Sequence, residues 1–226
     1  LKVAQGRFEV ILFDLGGVVI ELTGVAQMCA WTGIADDEEL WRRWLMSPGV
    51  RSFETGRATA EEFAAAMCLE FGLPVGAAEF MAEFALWPSR VFPGAHELLG
   101  ALASRHRLAA LSNNNAVHWE RISRDMGLGR YFSASFLSHE IGLLKPDRAV
   151  FEHVAEALGA PPGRILFLDD NRLNVEQAAS VGMVAHRVAG VEQTAALLLE
   201  LGLLEEGEFS LVAAASTVLA DAGEGN

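Results

Sequence analysis

The sequence predicts an open α/β fold with a parallel sheet at its core and a helical insertion after the first strand. Three observations carry this reading: short, continuously apolar runs recur along the chain, segments of helical periodicity separate them, and between residues 24 and 89 the strand signal disappears. Continuous apolar runs suit strands covered on both faces, as in a parallel sheet. Their alternation with helices implies the α/β class.

Taken in order, the first run is Glu9-Val10-Ile11-Leu12-Phe13-Asp14, which ends in a carboxylate and is followed closely by Gly16-Gly17. Helical periodicity rich in Trp and Phe then takes over, broken at Ser47-Pro48-Gly49, Gly72-Leu73-Pro74 and Trp87-Pro88. No convincing strand is expected in this stretch, and the chain re-enters the core at Phe92-Pro93-Gly94. Helices are expected near 94–104, 115–126, 147–159, 171–181 and 191–201. Strong strands are expected at 107–112 and 164–169, with weaker ones near 132–137 and 183–188. The division is a core of residues 1–22 and 90–226 with a helical unit at 23–89. The tail from Glu205 is acidic and rich in small residues, and the pattern assigns it no element.

The chain has 226 residues, 51% hydrophobic and 21% charged, enough to bury a substantial core. Its formal net charge of -13 argues against a nucleic-acid partner, because affinity for a phosphate backbone rests on Lys and Arg releasing condensed counterions. A small phosphorylated ligand is not excluded, since one Lys and one cation can offset its charge locally. Cys29 and Cys68 lie among apolar neighbours and read as small buried hydrophobes in a reducing compartment. No uncharged apolar stretch reaches the ~18 residues of a membrane span, so no membrane partner is expected. The N-terminus also lacks the order of a signal peptide, so the expected location is cytoplasmic. The pattern assigns no oligomeric state.

In a parallel α/β sheet, ligands bind at the carboxyl ends of the strands. Those ends carry Asp14, Ser112 and Asp169-Asp170, and Lys145 precedes Pro146 in a loop. A carboxylate nucleophile, a hydroxyl, a cation and an acidic pair are what phosphoryl transfer needs. Each residue also has an ordinary reading. Asp14 before glycines suits a turn or helix cap, Ser112 and Asn114 suit helix capping, Asp169-Asp170 suit a turn, and a Lys before Pro is usually a solvated loop charge. Adjacent carboxylates in a buried site repel each other unless a cation joins them, and a hard oxygen site of this kind suits Mg²⁺. The Trp and Phe residues read as packing, and no His pair has metal-ligand spacing.

Phe13-Asp14-Leu15-Gly16-Gly17-Val18-Val19, Leu111-Ser112-Asn113, Lys145-Pro146 and Leu168-Asp169-Asp170-Asn171 resemble, in order, the four motifs of the haloacid dehalogenase-like superfamily. The insertion resembles that family's cap. Within it, Phe53-Glu54-Thr55-Gly56-Arg57 and Ala60-Glu61-Glu62-Phe63 are similar to the branch holding bacterial α-glucose-1-phosphate phosphatases and the N-terminal phosphatase domain of soluble epoxide hydrolases. The resemblance implies a Rossmann-like parallel sheet core with an inserted α-helical cap domain. It further implies a Mg²⁺-dependent phosphatase acting on a small phosphate ester, a sugar phosphate for example, through an aspartyl-phosphate on Asp14. On this basis Ser112, Asn113 and Lys145 bind the phosphoryl group, and Ser112 and Lys145 also serve the catalysis. Asp14, Asp170, Asp169 (directly or through water) and the Gly16 carbonyl hold the metal, and Asn174 orients the site. One of the four cap arginines, Arg42, Arg43, Arg51 and Arg57, is expected to meet the substrate's leaving group, with Arg57 favoured because a Gly-Arg turn between helices can reach the core.

The sequence departs from the resemblance at Gly16, where most phosphatases of the family carry a second Asp as general acid and base. Glycine can hold a positive φ there and can offer its carbonyl, but it cannot move a proton. Glu21, at the start of the cap linker, is the candidate substitute. Two other chemistries stay open on the same fold: a metal-independent 2-haloacid dehalogenase, and a binding or regulatory module with impaired catalysis.

Overall fold

A computed structural model describes residues 6–205 and Gly207 of the chain; the acidic tail and the outer ends of the expected core lie outside the described residues. The strands are β1 (Val10–Phe13), β2 (Ile20–Leu22), β3 (Pro88–Val91), β4 (Leu108–Ser112), β5 (Ala134–Leu137), β6 (Ile165–Asp169) and β7 (Val184–Arg187). Five form one parallel sheet in the order β5-β4-β1-β6-β7. Every residue of β1, β4 and β6 is buried, which is why these strands read as unbroken apolar runs. The edge strands β5 and β7 are only partly covered, and their sequence signal is correspondingly weaker.

The helices are α1 (Gly24–Thr32), α2 (Asp37–Met46), α3 (Pro48–Glu54), α4 (Ala60–Phe71), α5 (Ala77–Phe84), α6 (Ala95–Ala103), α7 (Ala116–Glu120), α8 (Ser138–Ile141), α9 (Arg148–Leu158), α10 (Arg172–Ser180) and α11 (Gly190–Glu200). The period of two along β1 decides how they layer. Ile11 and Phe13 pack with Leu98, Leu99 and Leu102 of α6 and Leu198 of α11. Val10 and Leu12 face the other way, onto Val150, Phe151 and Val154 of α9 and Ala178 of α10.

Helices α1 to α5 form the cap around a separate core that includes Trp44, Phe53, Phe63, Phe80 and Phe84. Its aromatic rings pack on one another, as Phe53 does on Phe63 with centroids 4.2 Å apart and planes at 7°. A capping box between Thr59 and Glu62 starts α4, and Ser47 caps α3, whose first residue is Pro48.

Four details differ from the sequence reading. The chain leaves and re-enters the core through an antiparallel ribbon of β2 and β3, with Glu21 opposite Arg90. β3 was hidden because it begins at Pro88, which a short edge strand tolerates beside an irregular register. The boundary expected at residue 89 therefore falls inside a strand. The helix expected near 115–126 is α7 followed by a π-helical turn, Arg121–Asp125, and the short α8 was not foreseen. Both cysteines are half-buried instead of buried, since each sits at the margin of the cap core. Among the described residues, no helix is long and apolar enough to cross a membrane.

Candidate active site

The parallel register brings three strand ends level. Phe13 of β1 pairs with Ala110 of β4 and Leu168 of β6, so the residues that follow emerge at one edge of the sheet. Asp14 is held there by its own backbone N–H, which donates to the Leu168 carbonyl at 2.8 Å. Ser112 and Asp169 end β4 and β6, and Asp170 follows directly. Ligand oxygens of Asp14, Asp169 and Asp170 lie within 4.8 Å of one another.

Lys145 enters this cluster from the loop between α8 and α9. Its Nζ lies 2.8 Å from Asp14 Oδ1 and 2.7 Å from Asp169 Oδ2, and the residue is only 3% exposed. Burial alone would lower its pKa, but the charges of Asp14 and Asp169 outweigh that, and the ammonium is held charged. The acids experience the opposite imbalance. Burial pushes Asp14 well above the usual carboxylate range against the pull of Lys145, and the charges of Asp169 and Asp170 push it further. Asp170 is raised for the same reasons, by burial first and then by Asp169. Three clustered carboxylates against one ammonium leave an excess of negative charge that a divalent cation would relieve.

The surrounding hydrogen bonds divide the acids by task. Asp169 is fully engaged: Oδ1 accepts from the Asn171 N–H at 2.8 Å and Asn174 Nδ2 at 3.0 Å, and Oδ2 accepts from Lys145 and from Asn174 at 3.0 Å. Both bonds to Asp14, from the Leu15 N–H at 2.7 Å and from Lys145, fall on Oδ1, and Oδ2 carries neither. Asn113 clamps the Lys145 backbone: its Nδ2 donates to the Lys145 carbonyl at 2.9 Å, and its Oδ1 accepts the Lys145 N–H at 2.8 Å. The cap of α7 is Asn115 and not Asn114; Asn115 Oδ1 accepts the His118 N–H, while the Asn114 N–H goes to Ser138 Oγ. The Ser112 hydroxyl is nearly uncommitted, its contact with the Asn113 carbonyl being 3.5 Å long.

A magnesium ion fits this donor set. The cluster is made only of carboxylate oxygens, as a hard cation prefers, and it is built around a glycine. A Cβ on Gly17 would lie 2.1 Å from Asp170 Oδ2, so the missing side chain is what admits that carboxylate. The positive φ also belongs to Gly17, at 71°, and not to Gly16, where φ is ordinary and a Cβ would meet the tip of Leu22 at 2.7 Å.

The cap residues singled out from sequence do not join the cluster. Arg57 is exposed. The cap cation that reaches the core is Arg51, whose Nη2 lies 2.7 Å from Asp147 Oδ2. Glu21 is taken up by an ion pair with Arg90 across the ribbon, where the antiparallel register sets the two opposite each other. The sequence reading missed Glu54. This cap residue ends α3 half-buried, and burial pushes the pKa of its carboxyl group up against the opposing influence of the Trp44 side chain and the charge of Lys145. Its only sequence signal was its place in Phe53-Glu54-Thr55-Gly56.

Comparison with known proteins agrees with this geometry. A family model described as haloacid dehalogenase-like hydrolase matches residues 8–182. A D-ribitol-5-phosphate phosphatase of Bacteroides thetaiotaomicron is 23% identical over 180 residues, covering 76% of this chain and 87% of that protein. A pyrimidine 5'-nucleotidase of Escherichia coli is 32% identical over 80 residues, 34% of this chain, and the chain spans only 35% of that relative's length. Among solved structures, a HAD-family enzyme of Bacteroides thetaiotaomicron in complex with magnesium and inorganic phosphate superposes with a TM-score of 0.64 at 25% identity, covering 80% of this chain and 93% of the other.

Proposed function

The chain belongs to the haloacid dehalogenase-like hydrolase family, and from that premise we propose that this hydrolase is a Mg²⁺-dependent phosphatase for small phosphorylated metabolites, working through an aspartyl-phosphate on Asp14. The observation that carries the reading is the cluster of Asp14, Asp169 and Asp170, in which buried Lys145 bridges the buried Asp14 and Asp169 beside the half-buried Asp170. A carbon-halogen substrate calls for no divalent cation, whereas this excess of carboxylates does. Relatives that act on a phosphorylated polyol and on nucleotides support a small phosphate ester. The neighbour structure with magnesium and phosphate supports the cofactor.

In this reading Asp14 Oδ2 attacks phosphorus in line with the departing ester oxygen, and water later hydrolyses the acyl phosphate. Oδ1 stays pinned by Lys145 and the Leu15 N–H, which aims the other oxygen. Lys145, the Ser112 hydroxyl and the Asn113 backbone bind the phosphoryl oxygens. Asp14, Asp170 and the Gly16 carbonyl would hold Mg²⁺, which when bound neutralises charge between nucleophile and phosphate. Asp169 is assigned to anchoring Lys145 instead of ligating the metal directly, because its oxygens are already bonded, and Asn174 fixes Asp169. The cap covers the leaving group and sets substrate choice; Arg57 stays a candidate for that contact only if the cap moves.

The test is hydrolysis of a panel of phosphate esters and of 2-haloacids, each with Mg²⁺ and with chelator. Phosphate release should require Mg²⁺, and Asp14→Asn should abolish both turnover and a hydroxylamine-sensitive phosphoenzyme. Halide release unaffected by chelator, or undiminished turnover in Asp14→Asn, would reject the reading.

A further inference from the structure

Phosphoryl transfer to Asp14 leaves an alkoxide unless the ester oxygen is protonated, and the core provides no acid beside the nucleophile because position 16 is glycine. The other candidates are committed. Asp169 is bonded to Lys145, Asn171 and Asn174. Glu21 is paired with Arg90, and the His118 ring lies between the Phe84 carbonyl and Asn115.

Glu54 is positioned by two docking points of the cap on the core. Three residues before it, Arg51 binds Asp147, itself two residues after Lys145. Two residues after it, Gly56 lies so close to the His139 carbonyl that a Cβ would be 2.5 Å from that oxygen. Between these points Glu54 is half-buried, and its carboxyl feels the polar Trp44 side chain and the Lys145 ammonium. A desolvated carboxyl with no direct ion pair costs stability, so packing gives no reason for an acid here.

Resting on the phosphatase reading, we infer that Glu54 is the general acid–base of this enzyme, delivered by the cap in place of the carboxylate missing at position 16. As the Asp14 oxygen bonds to phosphorus, the P–O bond to the leaving group breaks and its electron pair goes to the ester oxygen. That oxygen takes the proton of Glu54 and departs as the alcohol. The Glu54 carboxylate then accepts a proton from the water that attacks phosphorus. The acyl bond electrons return to Asp14, phosphate leaves, and Glu54 is again the acid.

The charge environment suits both halves of this cycle. Burial pushes the Glu54 pKa up to about 7, against the hydrogen bond from Trp44 and the charges of Lys145 and Arg51. The elements packed around α3 also carry Glu38, Glu39, Arg42 and Arg43 (α2), Glu61, Glu62 and Glu70 (α4), and His139 and Glu140 (α8). A dianionic ester beside it favours the protonated form further.

The test compares wild type, Glu54→Gln and Glu54→Asp on phosphate monoesters running from nitrophenyl to alkyl leaving groups. Gln keeps the acceptor for Trp44 and removes only the proton. For Glu54→Gln, kcat/KM should fall about 10²- to 10⁴-fold on alkyl esters and less than about tenfold on nitrophenyl phosphate. The limb of the pH profile near 7 should disappear, and phosphoenzyme should accumulate because its hydrolysis has lost a base. Glu54→Asp should recover part of the alkyl activity. Undiminished alkyl hydrolysis in Glu54→Gln, or an equal loss across all esters with a lowered melting temperature, would overturn the assignment and leave Glu54 a structural residue. A wild type that hydrolyses no ester and forms no phosphoenzyme would instead bring down the phosphatase reading on which it rests.

Discussion

The Asp170 carboxylate packs against the loop after Asp14 because Gly17 in that loop has no side chain, and its backbone holds a φ of 71° that L-residues with a Cβ avoid. Alanine at 17 would therefore incur two penalties. The left-handed backbone costs about 1–2 kcal/mol, and the Cβ would displace a carboxylate now 2.1 Å from where it would sit. Gly17→Ala should lose about 2–3 kcal/mol in urea denaturation and bind Mg²⁺ at least tenfold more weakly by calorimetry. Gly16→Ala asks only that the tip of Leu22 shift, and should cost less than about 1 kcal/mol. Equal losses at the two positions would contradict this division. The double glycine was legible in the sequence, but which of the two carries the constraint was not, because the distinction lies in what a Cβ would meet across the loop.

At the scale of elements, the junction between cap and core depends on α7 and the turn that follows it. Arg121 donates to the carbonyls of Pro88 and Ser89, gripping β3 as the chain returns from the cap. His118 stacks on Phe84 with centroids 4.1 Å apart, and its Nε2 lies 2.6 Å from the Phe84 carbonyl at the end of α5. That carbonyl can only accept, so Nε2 carries the hydrogen and Nδ1 accepts from Asn115. Burial pushes the His118 pKa down to about 4, so the folded protein keeps the ring neutral. The unfolded chain takes up a proton below about 6.5. Stability from this residue is thus fully present above pH 6.5 and is lost as pH falls towards 4, by about 2 kcal/mol at pH 5. Wild type should lose more stability between pH 7.5 and pH 5 than His118→Gln, which keeps an N–H donor but does not titrate. Parallel pH dependences in chemical denaturation would refute the latch.

Across the whole molecule, an acidic chain concentrates three carboxylates at one sheet edge and bridges two of them, Asp14 and Asp169, with a buried lysine. Mg²⁺ binding to the native state alone should stabilise it by about 2.7 kcal/mol at a hundredfold excess over Kd, which for a chain of this size is about 5–10 °C in Tm. Asp170→Asn should erase the shift, while Ca²⁺ or Mg²⁺ added to that variant should move Tm by no more than ionic strength does. The fold that sets up this site was largely written in the sequence, because β1, β4 and β6 are covered on both faces and must be apolar throughout. The order of the motifs followed from that, since a parallel sheet carries the ends of its strands to a common edge. What the sequence could not decide was which distant side chains meet across the cap. Arg51 pairs with a partner 96 residues away while Arg57 faces solvent, Glu21 is claimed by Arg90, and Glu54 comes within reach of the Lys145 charge. The physical reason is that burial on both faces leaves a local trace in every residue of a strand, whereas the meeting of two separately packed cores depends on their relative orientation, which no local pattern of residues encodes.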